Sequence, residues 1–167
     1  MLDDLRLLLA HTAADAERAD YVSAVVDANV LGKATRKARE LALRHLATLY
    51  ALDTANPIFR ALRRLWALNE AAQPLLALAV ALARDPLLRG SQPFIMSLAP
   101  GALVPRDSVE AHLSAADPDR FSPASLKSFA QNVAGTWTAS GHLHGRVRKT
   151  RAAVQAHPES IALLLFL

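Results

Sequence analysis

The chain has 167 residues, 52% of them hydrophobic, 20% charged and 5% aromatic, which suits one domain or two small lobes and excludes both a large multidomain enzyme and a disordered chain. It has no cysteine, which excludes disulfides, Cys-ligated zinc, iron–sulfur clusters and thiol nucleophiles, and suits a reducing cytoplasm. Nineteen Lys and Arg against fifteen Asp and Glu leave a net charge of +4, a balance that favours polyanionic partners, nucleic acid before anionic membrane.

Alanine and leucine dominate, so a mainly α-helical fold is expected. The first helix is predicted over Leu2 to His11, with Leu5, Leu8 and Leu9 on one face. Its start, Met1-Leu2-Asp3-Asp4, is acidic where a secretory signal is basic, which points to a cytoplasmic protein. A second helix is predicted from Asp15 to Ala28 with Tyr21, Val22, Val25 and Val26 inward, stopped near Gly32. The third, Ala34 to Ala51, sets Ala38, Leu41, Ala42, His45, Leu46 and Leu49 inward and shows Lys33, Arg36, Lys37, Glu40 and Arg44 on its other side.

Asn56-Pro57 pairs an N-cap with proline at the first helical position. The helix it opens buries Ile58, Phe59, Leu62, Leu65 and Trp66, while Arg60, Arg63 and Arg64 share one opposite face. The next helix, Gln73 to Arg84, is apolar almost all round and reads as central. Its run Pro74 to Ala83 is shorter than the roughly 18 apolar residues that a bilayer span needs, so no membrane contact is expected.

Pro100-Gly101 is the clearest punctuation, and divides the expected architecture into a helical N-terminal lobe, residues 1–99, and a smaller lobe, residues 102–167. In the second lobe a short helix over Pro105 to Ala116 carries Val109 and Leu113. Ser122-Pro123 opens another, in which Leu126, Phe129, Val133 and Trp137 form one apolar stripe and Gly141 ends it. A basic, glycine-flanked stretch follows. Two helices, a turn and such a stretch predict a winged helix-turn-helix-like lobe. A last apolar helix begins at Pro158 and ends in Leu164-Leu165-Phe166-Leu167.

Catalytic patterns are missing. Gly32-Lys33-Ala34-Thr35 lacks both the earlier glycine and the adjacent Ser/Thr of a phosphate loop. His142-Leu143-His144 has no further ligands nearby and reads as two solvated histidines in a wing rather than a metal site, and His45 reads as a core histidine. Paired carboxylates occur only as Asp3-Asp4 and Asp117/Asp119, in capping or turn positions. Neither catalysis, nor a cofactor, nor a metal is expected.

The cations gather in two places. One cluster is Lys33, Arg36, Lys37 and Arg44 with Arg60, Arg63 and Arg64; the other is Lys127 with Arg146, Arg148, Lys149 and Arg151. Gln131 and Asn132, with Ser125, Ser128 and Thr136, add polar donors beside the second cluster. This pattern points to double-stranded DNA held through phosphate contacts on two basic surfaces, with Lys127 and Gln131 outermost on the candidate groove-entering helix. Two alternatives stand beside it: a helical protein-interaction adaptor, and an RNA-binding protein.

Asn29-Val30-Leu31-Gly32-Lys33 with Thr35-Arg36 resembles the opening of one small bacterial family, the A-component of BREX (bacteriophage exclusion) systems. Ala79 to Leu88 (AVALARDPLL), Ser125 to Val133 (SLKSFAQNV) and the basic segment after Gly141 fit as well. The resemblance runs from Asp15 onward. It implies a helical fold likened to NusB-type antitermination proteins, DNA binding without catalysis in phage defence, and other defence proteins as further partners. It would assign Lys33, Arg36 and Lys37 to the basic opening, and Lys127 and Asn132 to a helix-turn-helix-like segment.

Overall fold

Helix α1 (Leu2–His11) has Asp3 and Asp4 in its first turn, charges that oppose the helix dipole at that end. It buries Leu2, Leu5, Leu8 and Leu9, the expected stripe. The computed structural model describes Met1–Leu167, and the fold is mainly helical. No single helix is long and apolar enough to cross a membrane.

The helix expected over residues 15–28 is instead a short α2 (Arg18–Val22) running into a π-helical turn, Ser23–Asp27. The i→i+5 bond from Ala28 N–H to the Ser23 carbonyl widens the turn, so Tyr21, Val25 and Val26 are buried while Val22 faces solvent. Thr35 caps α3 (Arg36–Tyr50), its hydroxyl accepting from Ala38 N–H at 3.1 Å. The buried seam of α3 is the narrow set Ala42, Leu46 and Tyr50. Leu41, 46% exposed, and His45, also exposed, correct the wider inward face read from periodicity. A helix packed along one seam buries fewer positions than its apolar pattern offers.

Two successive left-handed residues, Ala51 (φ +72°) and Leu52 (φ +50°), end α3 sharply and turn Leu52 into the core. Asn56 then caps α4 (Pro57–Trp66), accepting from Ile58 and Phe59 N–H. Phe59 meets Tyr21 edge-to-face at 5.5 Å. Helix α5 (Gln73–Arg84), buried over Leu76 to Ala81, is the hub as expected: α3, α4 and the final helix pack on it.

The chain folds as two units, Met1–Arg84 with Ala156–Leu167, and Asp85–Gln155. The last helix, α10 (Pro158–Phe166), thus belongs with the first unit, packing on α4 and α5, with Asn69 donating to Glu159 at 3.2 Å. The Pro100-Gly101 turn lies inside the second unit.

The second unit begins with α6 (Pro86–Gly90), capped by Asp85, and α7 (Gln92–Ser97). Residues 101–104 then run extended beside the later hairpin. Gly101 N–H donates to the Arg151 carbonyl, Arg151 N–H to Ala102, and Val104 N–H to Lys149. Helix α8 (Arg106–Ser114) packs along α9 (Pro123–Ala139), whose cap, the Ser122 hydroxyl, accepts from Ser125 N–H. Strands β1 (Leu143–His144) and β2 (Thr150–Arg151) pair antiparallel, Leu143 opposite Arg151. Leu88, Ile95, Val104, Val109, Val133, Trp137 and Leu143 form the core of this unit.

Candidate nucleic-acid interface

Because α9 buries Ala130, Val133, Ala134 and Trp137, its helical period turns the opposite positions outward. Ala124, Lys127, Ser128, Gln131, Asn132, Gly135 and Ala139 are all exposed, at spacings of three and four, and make one continuous face. That face carries one cation, three uncharged polar side chains and no carboxylate. Ala124, Gly135 and Ala139 were not singled out from the sequence, since small residues carry no chemistry by themselves; their spacing from Lys127 places them on this face. At Gly135 even an added Cβ would meet nothing within 4 Å.

The hairpin carries the other cations of this unit. Gly145, with φ +99°, closes the turn so tightly that a Cβ there would lie 2.0 Å from the Arg148 carbonyl oxygen. Arg146, Val147 and Arg148 project from it into solvent, Val147 being 92% exposed. Lys149 is held closer in, donating to Thr138 Oγ1 at 2.8 Å and to the Gly145 carbonyl at 3.3 Å. Arg151 is a structural cation. Its guanidinium donates to the carbonyls of Ile95 (3.1 Å), His142 (3.3 Å) and Ala152, knitting the hairpin base to α7.

His142 departs from the solvated histidine expected. It is 7% exposed, lies edge-to-face on Trp137 at 5.0 Å, and has Nδ1 2.9 Å from Ser140 Oγ. Burial, helped by the Arg151 charge, pulls its pKa down to about 4, so the ring is neutral at pH 7. His144 is exposed.

In the first unit the expected cations have different fates. Lys33 is ion-paired with Asp4 of α1 at 2.8 Å, and Arg36 with Glu40 at 3.0 Å. Arg63 donates to the carbonyls of Leu9 (2.8 Å), Thr12 and Ala13 (2.8 Å), so its charge sits at the negative end of α1. Lys37, Arg44, Arg60 and Arg64 remain exposed, with Arg60 donating to the Thr54 carbonyl at 3.2 Å. Helices α3 and α4 each pack on α5, so the two halves of this expected cluster are carried by different neighbours of that hub.

No protein-family model matches the chain, and comparison with curated proteins and with solved structures returns no similar protein.

Proposed function

We propose that the protein is a non-enzymatic accessory protein that binds double-stranded DNA in phage defence, with its second unit acting as a winged helix-turn-helix. The observation that carries this reading is the exposed face of α9, free of carboxylates, in the same unit as a hairpin that presents Arg146 and Arg148 unpaired. The order of elements supports it: two short helices, an extended segment, α8, α9 and a hairpin whose second strand receives that segment. A helix of 17 residues is about 25 Å long, enough to lie in a major groove about 12 Å wide. Lys127, Gln131 and Asn132 would face base edges or phosphates there. Arg146 and Arg148, with Lys149 nearer the hairpin base, would grip the flanking backbone.

The deep, narrow major groove of A-form RNA does not admit a helix, which favours DNA over duplex RNA as the partner. The setting in bacteriophage exclusion rests on the sequence resemblance of residues 29–36, 79–88 and 125–133. A second role as an adaptor is favoured by α10, where Leu164, Leu165 (84% exposed) and Phe166 present apolar surface suited to other defence proteins.

Fluorescence anisotropy of a labelled DNA duplex, titrated with the full chain at two salt concentrations, tests the reading. The expected result is binding that weakens by a slope of about 0.9 in log affinity against log salt for each phosphate contacted. Absence of binding at low salt, or binding indifferent to salt, would overturn it.

A further inference from the structure

The first unit contains a concavity that duplex binding does not explain. The loop after α1, the turn before α4 and one side of α4 enclose an open cleft of about 390 Å³, lined by Ala14, Asp15, Thr54, Arg60, Arg63 and Arg64. Three guanidiniums therefore face a single carboxylate, and Asp15 forms an ion pair with none of them.

Each arginine is held differently. Arg63 is anchored on the carbonyls of Leu9, Thr12 and Ala13, which fixes both its charge and the loop wall that carries Ala14 and Asp15. Arg60 is steadied by one bond to the Thr54 carbonyl at 3.2 Å, leaving the rest of its fork unused. Arg64, one turn further along α4, is exposed and bound to nothing. Like charges at this spacing repel, and an anion between them would offset that repulsion. Guanidinium forks match phosphate oxygens in pairs.

We infer that this cleft binds a phosphorylated small molecule, its phosphate held between Arg60 and Arg64 against the fixed charge of Arg63. The site goes beyond the DNA reading and does not depend on it.

Isothermal titration of the full chain with inorganic pyrophosphate, ATP and adenosine, at matched ionic strength, provides the test. Pyrophosphate and ATP are expected to bind and adenosine is not. The double variant Arg60→Gln/Arg64→Gln is expected to lose affinity by at least about tenfold, while its thermal unfolding without ligand stays close to that of the parent. Arg63 is left intact because its loss would release the end of α1. No heat from either phosphate, or equal binding by the double variant, would overturn the inference. Displacement of bound ATP by duplex DNA would assign the cleft to the DNA backbone and overturn it equally. A Lys127→Ala/Arg146→Ala/Arg148→Ala variant is expected to keep ATP binding while losing duplex affinity; loss of both would sink the independence of the two sites. Duplex binding that fails in every variant while ATP still binds would reject the DNA reading and leave the cleft standing.

Discussion

Trp137 and Ser91 meet in the interior of the second unit, where the indole Nε1–H donates to the serine hydroxyl oxygen at 2.8 Å. The hydroxyl in turn donates to the Leu88 carbonyl at 2.6 Å. Both residues are buried, so this two-step chain ties the last turn of α9 to the end of α6 and satisfies every polar atom on the way. The face that α9 offers to solvent is oriented by this bond on its opposite side.

Ser91→Ala would strand the indole N–H away from water. A buried donor left without an acceptor costs about 1–3 kcal/mol, so urea denaturation is expected to show a lower midpoint and an unfolding free energy reduced by that amount. Since the change also loosens the seat of α9, duplex affinity is expected to fall with it. A midpoint equal to that of the parent would mean that the bond contributes nothing net.

Arg146 and Arg148 are exposed and unpaired, so replacing both by alanine is expected to leave stability nearly unchanged. If both contact phosphate, the slope of log affinity against log salt should drop by about 1.8. Anisotropy titrations across a salt series measure this directly, and an unaltered slope would remove the hairpin from the interface.

Backbone conformation makes opposite predictions at two places. Ala51 sits at φ +72°, where glycine avoids a steric cost, so Ala51→Gly is expected to stabilise the chain by up to about 1 kcal/mol. Gly145→Ala should do the reverse: its methyl group would strike the Arg148 carbonyl oxygen, reopening the hairpin. Thermal melts of the two variants should shift in opposite directions, with helical circular dichroism preserved in both.

His142 makes stability depend on pH in a stated window. Its folded pKa of about 4 lies below the ordinary value of 6.5, so the unfolded chain binds the proton more tightly. The neutral ring therefore contributes fully above pH 6.5, and its contribution is lost as pH falls from there toward 4. The full shift corresponds to about 3 kcal/mol. Denaturation of the parent and of His142→Gln at pH 7.5 and pH 4.5 should show a larger acid loss in the parent; equal losses would contradict the burial of a neutral imidazole.

Much of the helical skeleton was legible because its signals are local. Asn56-Pro57 and Ser122-Pro123 each carry a capping side chain and a preset φ within two residues, and both open helices where expected. The apolar Gln73–Arg84 segment announced its central place, and Gly141 its role as a stop at φ +84°. Periodicity was a weaker guide at α3, where Leu41 and His45 face solvent, because a pattern lists the positions able to be buried while neighbours decide which are.

By itself, then, the sequence determined the helical class, the capped starts and the clustering of cations along the chain, since each follows from neighbouring residues. Which of those cations stay available depends on contacts made across the fold. Arg63 and Arg151 read in the sequence like Arg64 and Arg148, yet the first two are engaged with carbonyls and the last two are open to solvent. Lys33 found Asp4, and His142 found the Trp137 ring. A long side chain carries the same charge wherever it stands, and its role depends on whether folding brings an acceptor from elsewhere in the chain within about 3 Å of it.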